Sequence, residues 1–254
     1  MIASLYDNFK HWSSTGSVWL ISDPHFGTDD ETLLMSPDYH SSLHPDQYVE
    51  ELNKVIHKSD TLICLGDCGD IEYIKKLKAG HKVLIKGNHD DKGDSYYLKN
   101  ENVKFFIKSE YEKSYDIRKM LSEQYENCKI NIIDGNHMNH KGYWIATIDN
   151  NLFDEVYSGA LFISDKILLS HEPVNGLKFC TNIHGHVHCG VYDYTDEQGG
   201  RHLNIAADVI NWQPVNLGKL IKNGLVAGLP TIHRLVIDKA IERKKEDSNN
   251  NNCY

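Results

Sequence analysis

The stretch Thr61-Leu62-Ile63-Cys64-Leu65-Gly66-Asp67 sets the fold class of this chain. Its apolar run is too short for a helix and stops at once in Gly-Asp, so it reads as a buried strand opening into a polar loop. The same pattern recurs outward in both directions. Val18-Trp19-Leu20-Ile21 leads into Ser22-Asp23-Pro24-His25, Val83-Leu84-Ile85 into Lys86-Gly87-Asn88-His89-Asp90, and Ile167-Leu168-Leu169 into Ser170-His171. Between these runs, residues 46–57 place Tyr48, Val49, Leu52, Val55 and Ile56 on one helical face, and residues 71–77 form a shorter helical stretch. Strand and helix in alternation predict a layered α/β domain. Further strands are expected at 205–207 and 235–237.

Residues 91–152 differ from their surroundings. They are polar and rich in Lys, Glu, Tyr and Asn, with a helix predicted near 111–126 and a strand near 130–133. This interval reads as an insertion or lid within a single domain spanning 1–241. The end of the chain, 242–254, closes in Glu-Asp-Ser-Asn-Asn-Asn-Asn-Cys-Tyr and reads as a disordered tail.

Composition excludes several function classes. Across 254 residues, 27 basic against 36 acidic side chains leave a formal net charge of −9, which argues against non-specific binding to nucleic acid or to a membrane surface. No apolar run approaches the roughly 18 residues of a membrane span. The first residues, Met-Ile-Ala-Ser-Leu-Tyr-Asp-Asn, carry neither the basic start nor the apolar stretch of a cleaved leader. Six cysteines without a C-x-x-C pair fit reduced thiols, and a cytoplasmic location is the expectation. Fifteen histidines are a heavy load, and they cluster at 183–188 and 136–140, which raises the prior for a metal site.

The chemistry-bearing residues follow the strand-like runs: Asp23 and His25, Asp67, Asn88 and His89, His171, then His186 and His188. In layered α/β folds, functional groups gather just beyond the carboxyl ends of strands. Carboxylate, amide and imidazole ligands together suit Mn, Fe, Co, Ni or Zn. The D-x-H and H-x-H spacings put two side chains on one side of an extended segment. Seven ligands exceed what one tetrahedral ion takes; two ions about 3.5–4 Å apart, sharing a carboxylate, accommodate them and serve phosphoryl chemistry.

The ordered series D-x-H (23–25), G-D (66–67), G-N-H-D (87–90), a single His (171) and G-H-x-H (185–188) resembles the calcineurin-like metallophosphoesterases. The series spans about two-thirds of the chain. D-P-H-F-G (23–27) and F-D-E-V-Y-S-G (153–159) are similar to a compact bacterial and phage branch of that family. The resemblance implies an α/β fold, specifically a four-layer α/β/β/α sandwich of two mixed sheets flanked by helices, with a dinuclear centre between the sheets. It implies that Asp23, His25 and His188 bind one divalent ion, that Asn88, His171 and His186 bind the second, and that Asp67 bridges them. Manganese is the expected ion in vitro. His89 is implied as the catalytic side chain beside the scissile phosphate, with a metal-bridging hydroxide attacking phosphorus in line. Two such ions leave the site with about one positive charge after Asp23, Asp67 and hydroxide are counted, which reconciles an anionic substrate with an acidic chain.

The implied activity is hydrolysis of a phosphomonoester or phosphodiester. A nuclease or cyclic-nucleotide phosphodiesterase of the same fold, acting on short or cyclic substrates, stays open, as does a non-catalytic metal-binding scaffold. Gly135-Asn136-His137 repeats the G-N-H pattern and competes with 87–89, but lacks the following Asp that completes the motif. His137 and His140 are candidates for lining the substrate pocket. His184 reads as structural, and Asp70 and Asp90 as turn residues or groups that orient the ligands. Cys68 and Cys189 adjoin ligands by position only.

Overall fold

The computed structural model describes residues 16–27, 44–100, 103–108, 114–125, 128–135 and 140–250. In chain order the first half holds β1 (Val18–Ile21), α1 (Pro45–Val55), β2 (Thr61–Cys64), α2 (Ile71–Lys75), β3 (His81–Ile85), α3 (Asp94–Tyr97), β4 (Val103–Lys108), α4 (Ser114–Gln124) and β5 (Lys129–Asp134). The second half holds β6 (Tyr143–Asp149), β7 (Glu155–Tyr157), β8 (Leu161–Ser164), β9 (Ile167–Leu169), β10 (Thr181–His184), β11 (Asp193–Thr195), β12 (Arg201–Asn204), β13 (Val215–Asn216), α5 (Leu217–Lys222) and α6 (Ile232–Asn250).

The chain is mixed α/β, built on two five-stranded sheets. The first has the order β13-β1-β2-β3-β7, the second β11-β12-β10-β9-β8. In the first sheet β1, β2, β3 and β7 run parallel and β13 is antiparallel. In the second, β9, β10 and β12 run parallel between antiparallel edges. Side chains alternate across a strand, so each of these short apolar runs serves two faces. Leu20, Ile63, Leu65, Val83 and Ile85 of the first sheet share one buried cluster with Ile167, Leu169, Ile183 and Leu203 of the second. The alternate residues Leu62, Cys64 and Leu84 pack with Tyr48, Val49 and Leu52 of α1 and with Ile71 and Ile74 of α2. Burying one such leucine or isoleucine contributes about 1.5–3 kcal/mol.

Helix α1 begins where local chemistry allows. Pro45 occupies its first turn, His44 Nδ1 accepts the Asp46 N–H, and Gln47 Oε1 accepts the His44 N–H. Asp70 caps α2 by accepting the Glu72 N–H at 2.9 Å, which is its whole visible role. The outer face of the second sheet is polar: Asn182, His184, His202 and Asn204 are buried there. Loops meet them, through Val174 N to Asn182 Oδ1 (2.7 Å) and Asn204 Nδ2 to the Val187 carbonyl (2.7 Å). The resemblance implies a helical layer at this place.

The insertion is a small unit with its own core. Strands β4-β6-β5 form an antiparallel sheet, and Ile117 and Leu121 of α4 pack on Ile130, Ala146 and Ile148. The chain leaves and returns at one point, where Asn100 N donates to Asn150 Oδ1 (2.7 Å) and Asn150 N to the Asn100 carbonyl (2.8 Å). The expected limits of 91–152 are therefore too wide. Tyr97, Leu152 and Phe153 are buried in the core shared by α1 and the first sheet.

Three expectations for the C-terminal third are corrected. Residues 235–237 are helical, and the tail expected to be disordered from 242 continues as helix to Asn250; residues 251–254 lie outside the described ones. Glu, Lys and Arg are strong helix formers, and an Arg234–Asp238 ion pair (3.1 Å) spans one turn, so a three-residue apolar run does not prevail as a strand. The strand expected at 205–207 lies at 201–204, with Ala206 bridging Ser22 and joining the carboxyl ends of the two sheets. No helix among the described residues is long and apolar enough to cross a membrane.

Replacing residues 101–149 by a short Gly-Ser linker should leave a cooperatively unfolding chain that still binds metal. Removing 91–152 strips Tyr97 and Leu152 from the main core and should cost several kcal/mol, about 2–5 for the leucine alone. Thermal unfolding of the two deletions checks this, and equal stability would contradict the boundary at Asn100 and Asn150.

Candidate metal centre

Six parallel strands from the two sheets deliver side chains to one place. β1 leads to Asp23 and His25, β2 to Asp67, β3 to Asn88 and His89, β9 to His171, β10 to His186 and His188, and β12 to Asp208. The turns that aim them are strained. Asp23 (φ 53°), His25 (38°), Asp67 (53°) and His186 (65°) all lie in the left-handed region that non-glycine residues seldom adopt. Backbone hydrogen bonds hold them there, Asp23 N to the Gly66 carbonyl and His25 N to the Asp67 carbonyl, both 3.0 Å. The buried Asp90 fastens two of these loops together: Oδ2 accepts from Asp67 N (2.8 Å) and Gly87 N (2.9 Å), and Oδ1 from Cys68 N (3.2 Å). Close approach also demands glycine. A Cβ on Gly87 would stand 2.1 Å from Asp67 Oδ1, and one on Gly185 2.0 Å from Asp23 Oδ2.

The resulting constellation is two groups of three. Ligand atoms of Asp23, His25 and His188 lie within 4.8 Å of one another, as do those of Asp67, His171 and His186. Asp67 stands between the groups, its Oδ2 3.4 Å from His171 Nε2 and 3.7 Å from His25 Nε2. Asn88 Oδ1 lies 2.9 Å from His171 Nε2, and His186 Nδ1 lies 3.2 Å from the same nitrogen. All seven residues named as ligands from the sequence thus come together.

Hydrogen-bond chemistry tests whether these residues fit a cation. His171 Nδ1 sits 2.8 Å from the Leu65 carbonyl, which can only accept, so that nitrogen carries the proton in the neutral ring. Its Nε2 therefore presents a lone pair, and the amide oxygen of Asn88 and a carboxylate oxygen of Asp67 face it with lone pairs of their own. His188 repeats the pattern: Nδ1 lies 3.0 Å from Asp208 Oδ1, leaving Nε2 as a lone pair 3.7 Å from Asp23 Oδ1. Asp23 Oδ2 is satisfied by His186 N (2.9 Å) and by Ser22 Oγ, whereas the buried Oδ1 has no hydrogen-bond partner. Carboxylate, amide and imidazole groups gathered this closely are a set that a divalent cation stabilises, and the residues present fit two such ions.

Charge states divide: His25 is ready to ligate, whereas Asp23 and His188 hold protons more tightly than usual, and a cation has to displace them. Burial holds the His25 imidazole down to about 4, so it is neutral and able to ligate at neutral pH. Burial also pushes Asp23 above the usual carboxylate range, against the pull of His171 and the Ser22 hydroxyl. At His188 burial acts downward, but the Asp208 hydrogen bond and the Asp23 charge outweigh it and the imidazole is held above its ordinary range. Asp208 is the functional residue that sequence reasoning missed. The signal was present, since it follows the Leu203–Ala207 run as Asp67 follows its own strand, but no motif spacing marks it.

His89 lies outside both donor groups. It is exposed, its backbone N–H donates to Asp67 Oδ1 (2.9 Å), and its ring meets the His25 ring edge-on at 5.4 Å between centroids. His184 is structural as expected, with Nδ1 on the Gly185 carbonyl (2.8 Å) and Nε2 on the Tyr194 hydroxyl (3.1 Å); burial lowers it to about 4. Cys68 points away to Cys64, 3.5 Å between sulfurs. His140 packs on Phe106 within the insertion. Asn136 and His137 lie outside the described residues.

No family model matches this chain, and no curated protein matches it. Among solved structures it is similar to the crystal structure of the protein of unknown function AQ665 from Aquifex aeolicus, at 20% identity, covering 82% of this chain and 98% of that one with a TM-score of 0.45. The reading of the site therefore rests on its own geometry.

Two outcomes follow from this geometry. Asp208→Asn removes the carboxylate that orients His188 and should weaken metal binding about 10–100-fold, measured by calorimetry, with the fold unchanged. In the metal-free protein, the folded His184 refuses a proton that the unfolded chain accepts below pH 6.5, so its contribution is lost as pH falls toward about 4. Between pH 7 and pH 5 the wild type should lose about 2 kcal/mol more stability than His184→Gln, read by urea unfolding.

Proposed function

We propose that this chain is a metal-dependent phosphoesterase of the calcineurin-like type, hydrolysing a phosphomonoester or a phosphodiester. Asp23, His25 and His188 hold one divalent ion, Asn88, His171 and His186 hold the second, and Asp67 is shared between them. The observation that carries this reading is the meeting of Asn88 Oδ1, His186 Nδ1 and Asp67 Oδ2 around His171 Nε2, with the parallel group at Asp23 reached through Asp67. A pair of divalent ions, manganese in vitro, supplies Lewis acidity toward phosphoryl oxygens and lowers the pKa of water so that it serves as nucleophile near neutrality.

The chain's own residues supply the rest. Leu65 and Asp208 fix the tautomers of His171 and His188. Asp90 keeps the Asp67 and Asn88 loops in register through three backbone N–H groups. His89 is exposed beside the donor groups, anchored through its backbone to Asp67, which suits its imidazole to protonate the leaving oxygen or to neutralise charge developing on the phosphoryl group.

Hydrolysis of nitrophenyl phosphate and bis(nitrophenyl) phosphate, with manganese and with chelator, tests the reading. Turnover should require metal. Asp67→Asn should abolish it and weaken metal binding, and His89→Ala should lower kcat about 10²–10⁴-fold with metal content unchanged. An undiminished rate in Asp67→Asn contradicts the shared-carboxylate site, and loss of metal in His89→Ala contradicts the division of roles.

A further inference from the structure

A cavity of about 380 Å³ opens beside the candidate centre, with Asn88 and His171 in its wall. A phosphoryl group on an ion held by those two residues would border this space, which the remainder of the ester could enter. We infer that the cavity between the 86–88 loop, the 158–160 turn and Glu172 is the subsite for the non-phosphate part of the substrate, and that it takes a small hydroxylated, non-aromatic group, a polyol or sugar monoester. This inference rests on the phosphoesterase reading and names its substrate class.

Three observations carry it. First, no phenyl, phenol or indole ring is among the described residues of the wall, and its one imidazole, His171, is held by the Leu65 carbonyl and Asn88, so a nucleobase finds no free ring to stack on. Second, the cation nearest the metal-binding loop is already committed: Lys86 Nζ donates to the Lys92 carbonyl (2.6 Å) and lies 3.4 Å from Asp94 Oδ1. It is not offered to a second phosphate, and the exposed carboxylate of Glu172 would repel one. Third, the remaining polar residues of the wall suit hydroxyls: Glu172 is exposed, Ser170 Oγ is spent on the Glu172 carbonyl (2.7 Å), and Ser158 Oγ holds only a long contact to Asp94 (3.5 Å), all set among Gly159, Ala160 and Val174. A carboxylate has two oxygens and accepts from a pair of neighbouring hydroxyls. The volume lies near the lower end for small-molecule sites, a size for a compact ester group.

Gly159 provides the test, because a Cβ built there meets nothing within 4 Å and its backbone needs no left-handed conformation. Gly159→Trp therefore fills the cavity without disturbing the donor groups. Binding of glycerol phosphate, adenosine monophosphate and inorganic phosphate to the manganese-loaded protein is measured by calorimetry. Glycerol phosphate should bind about tenfold tighter than inorganic phosphate and tighter than adenosine monophosphate. Gly159→Trp should erase the advantage of glycerol phosphate over inorganic phosphate, and Glu172→Ala, which introduces no bulk, should reduce it. Equal affinities for glycerol phosphate and inorganic phosphate in the wild type overturn the inference, as does an advantage that survives both substitutions or a preference for adenosine monophosphate that Gly159→Trp abolishes. Failure of the manganese-loaded wild type to bind any of the three overturns instead the phosphoesterase reading beneath it.

Discussion

The hydrogen bond from His171 Nδ1 to the Leu65 carbonyl decides what the centre of this molecule can be. A backbone carbonyl cannot donate, so it fixes a proton on that nitrogen, and in the neutral tautomer Nε2 is the nitrogen left to ligate. Around Nε2 stand an amide oxygen, an imidazole nitrogen and a carboxylate oxygen, all within 3.4 Å. In the neighbouring group the buried Asp23 Oδ1 has no hydrogen-bond partner, a local deficit of donors. A folded chain tolerates such a deficit only where something positive answers it.

The scaffold is arranged to hold that deficit in place. Parallel strands of two facing sheets end at one edge, and Ser22 and Ala206 join the sheets there. Left-handed turns at Asp23, His25, Asp67 and His186 direct consecutive side chains inward, at a conformational cost of order 1–3 kcal/mol each. Asp90 offsets part of it by accepting three backbone N–H groups, and the absent Cβ atoms of Gly87 and Gly185 leave room for Asp67 and Asp23. Stability comes from elsewhere, chiefly the apolar cluster between the sheets and the packing of α1 and α2 on the outer face of the first.

Those same facts explain what the amino-acid sequence made legible. Asp23, Asp67, Asn88 and His171 each stand directly beyond a short Val-, Leu- or Ile-rich run, so strand and site announce each other, whereas His186 and His188 follow the polar strand Thr-Asn-Ile-His and are marked by their own spacing. Asp208 obeys the same rule but stands alone, without a spaced partner, and only its contact with His188 reveals it. The insertion strands β4 and β6 were hidden because their alternation is broken: Phe106 is an exposed apolar residue between Lys104 and Lys108, and in β6 the buried Ile145 shares a face with the exposed Tyr143 and Asp149. The C-terminal helix was hidden by composition, since a polar, charged run supports an exposed helix and a disordered tail alike. The three-residue run 235–237 imitates a strand until its place in a 19-residue helix is seen.

The central claim is that two ions share Asp67, and the most direct measurement is manganese stoichiometry with electron paramagnetic resonance of the loaded protein. Two ions per chain with spin-coupled spectra are expected, falling to at most one uncoupled ion in Asp67→Asn. One ion per chain in the wild type, or two that show no coupling, would contradict it.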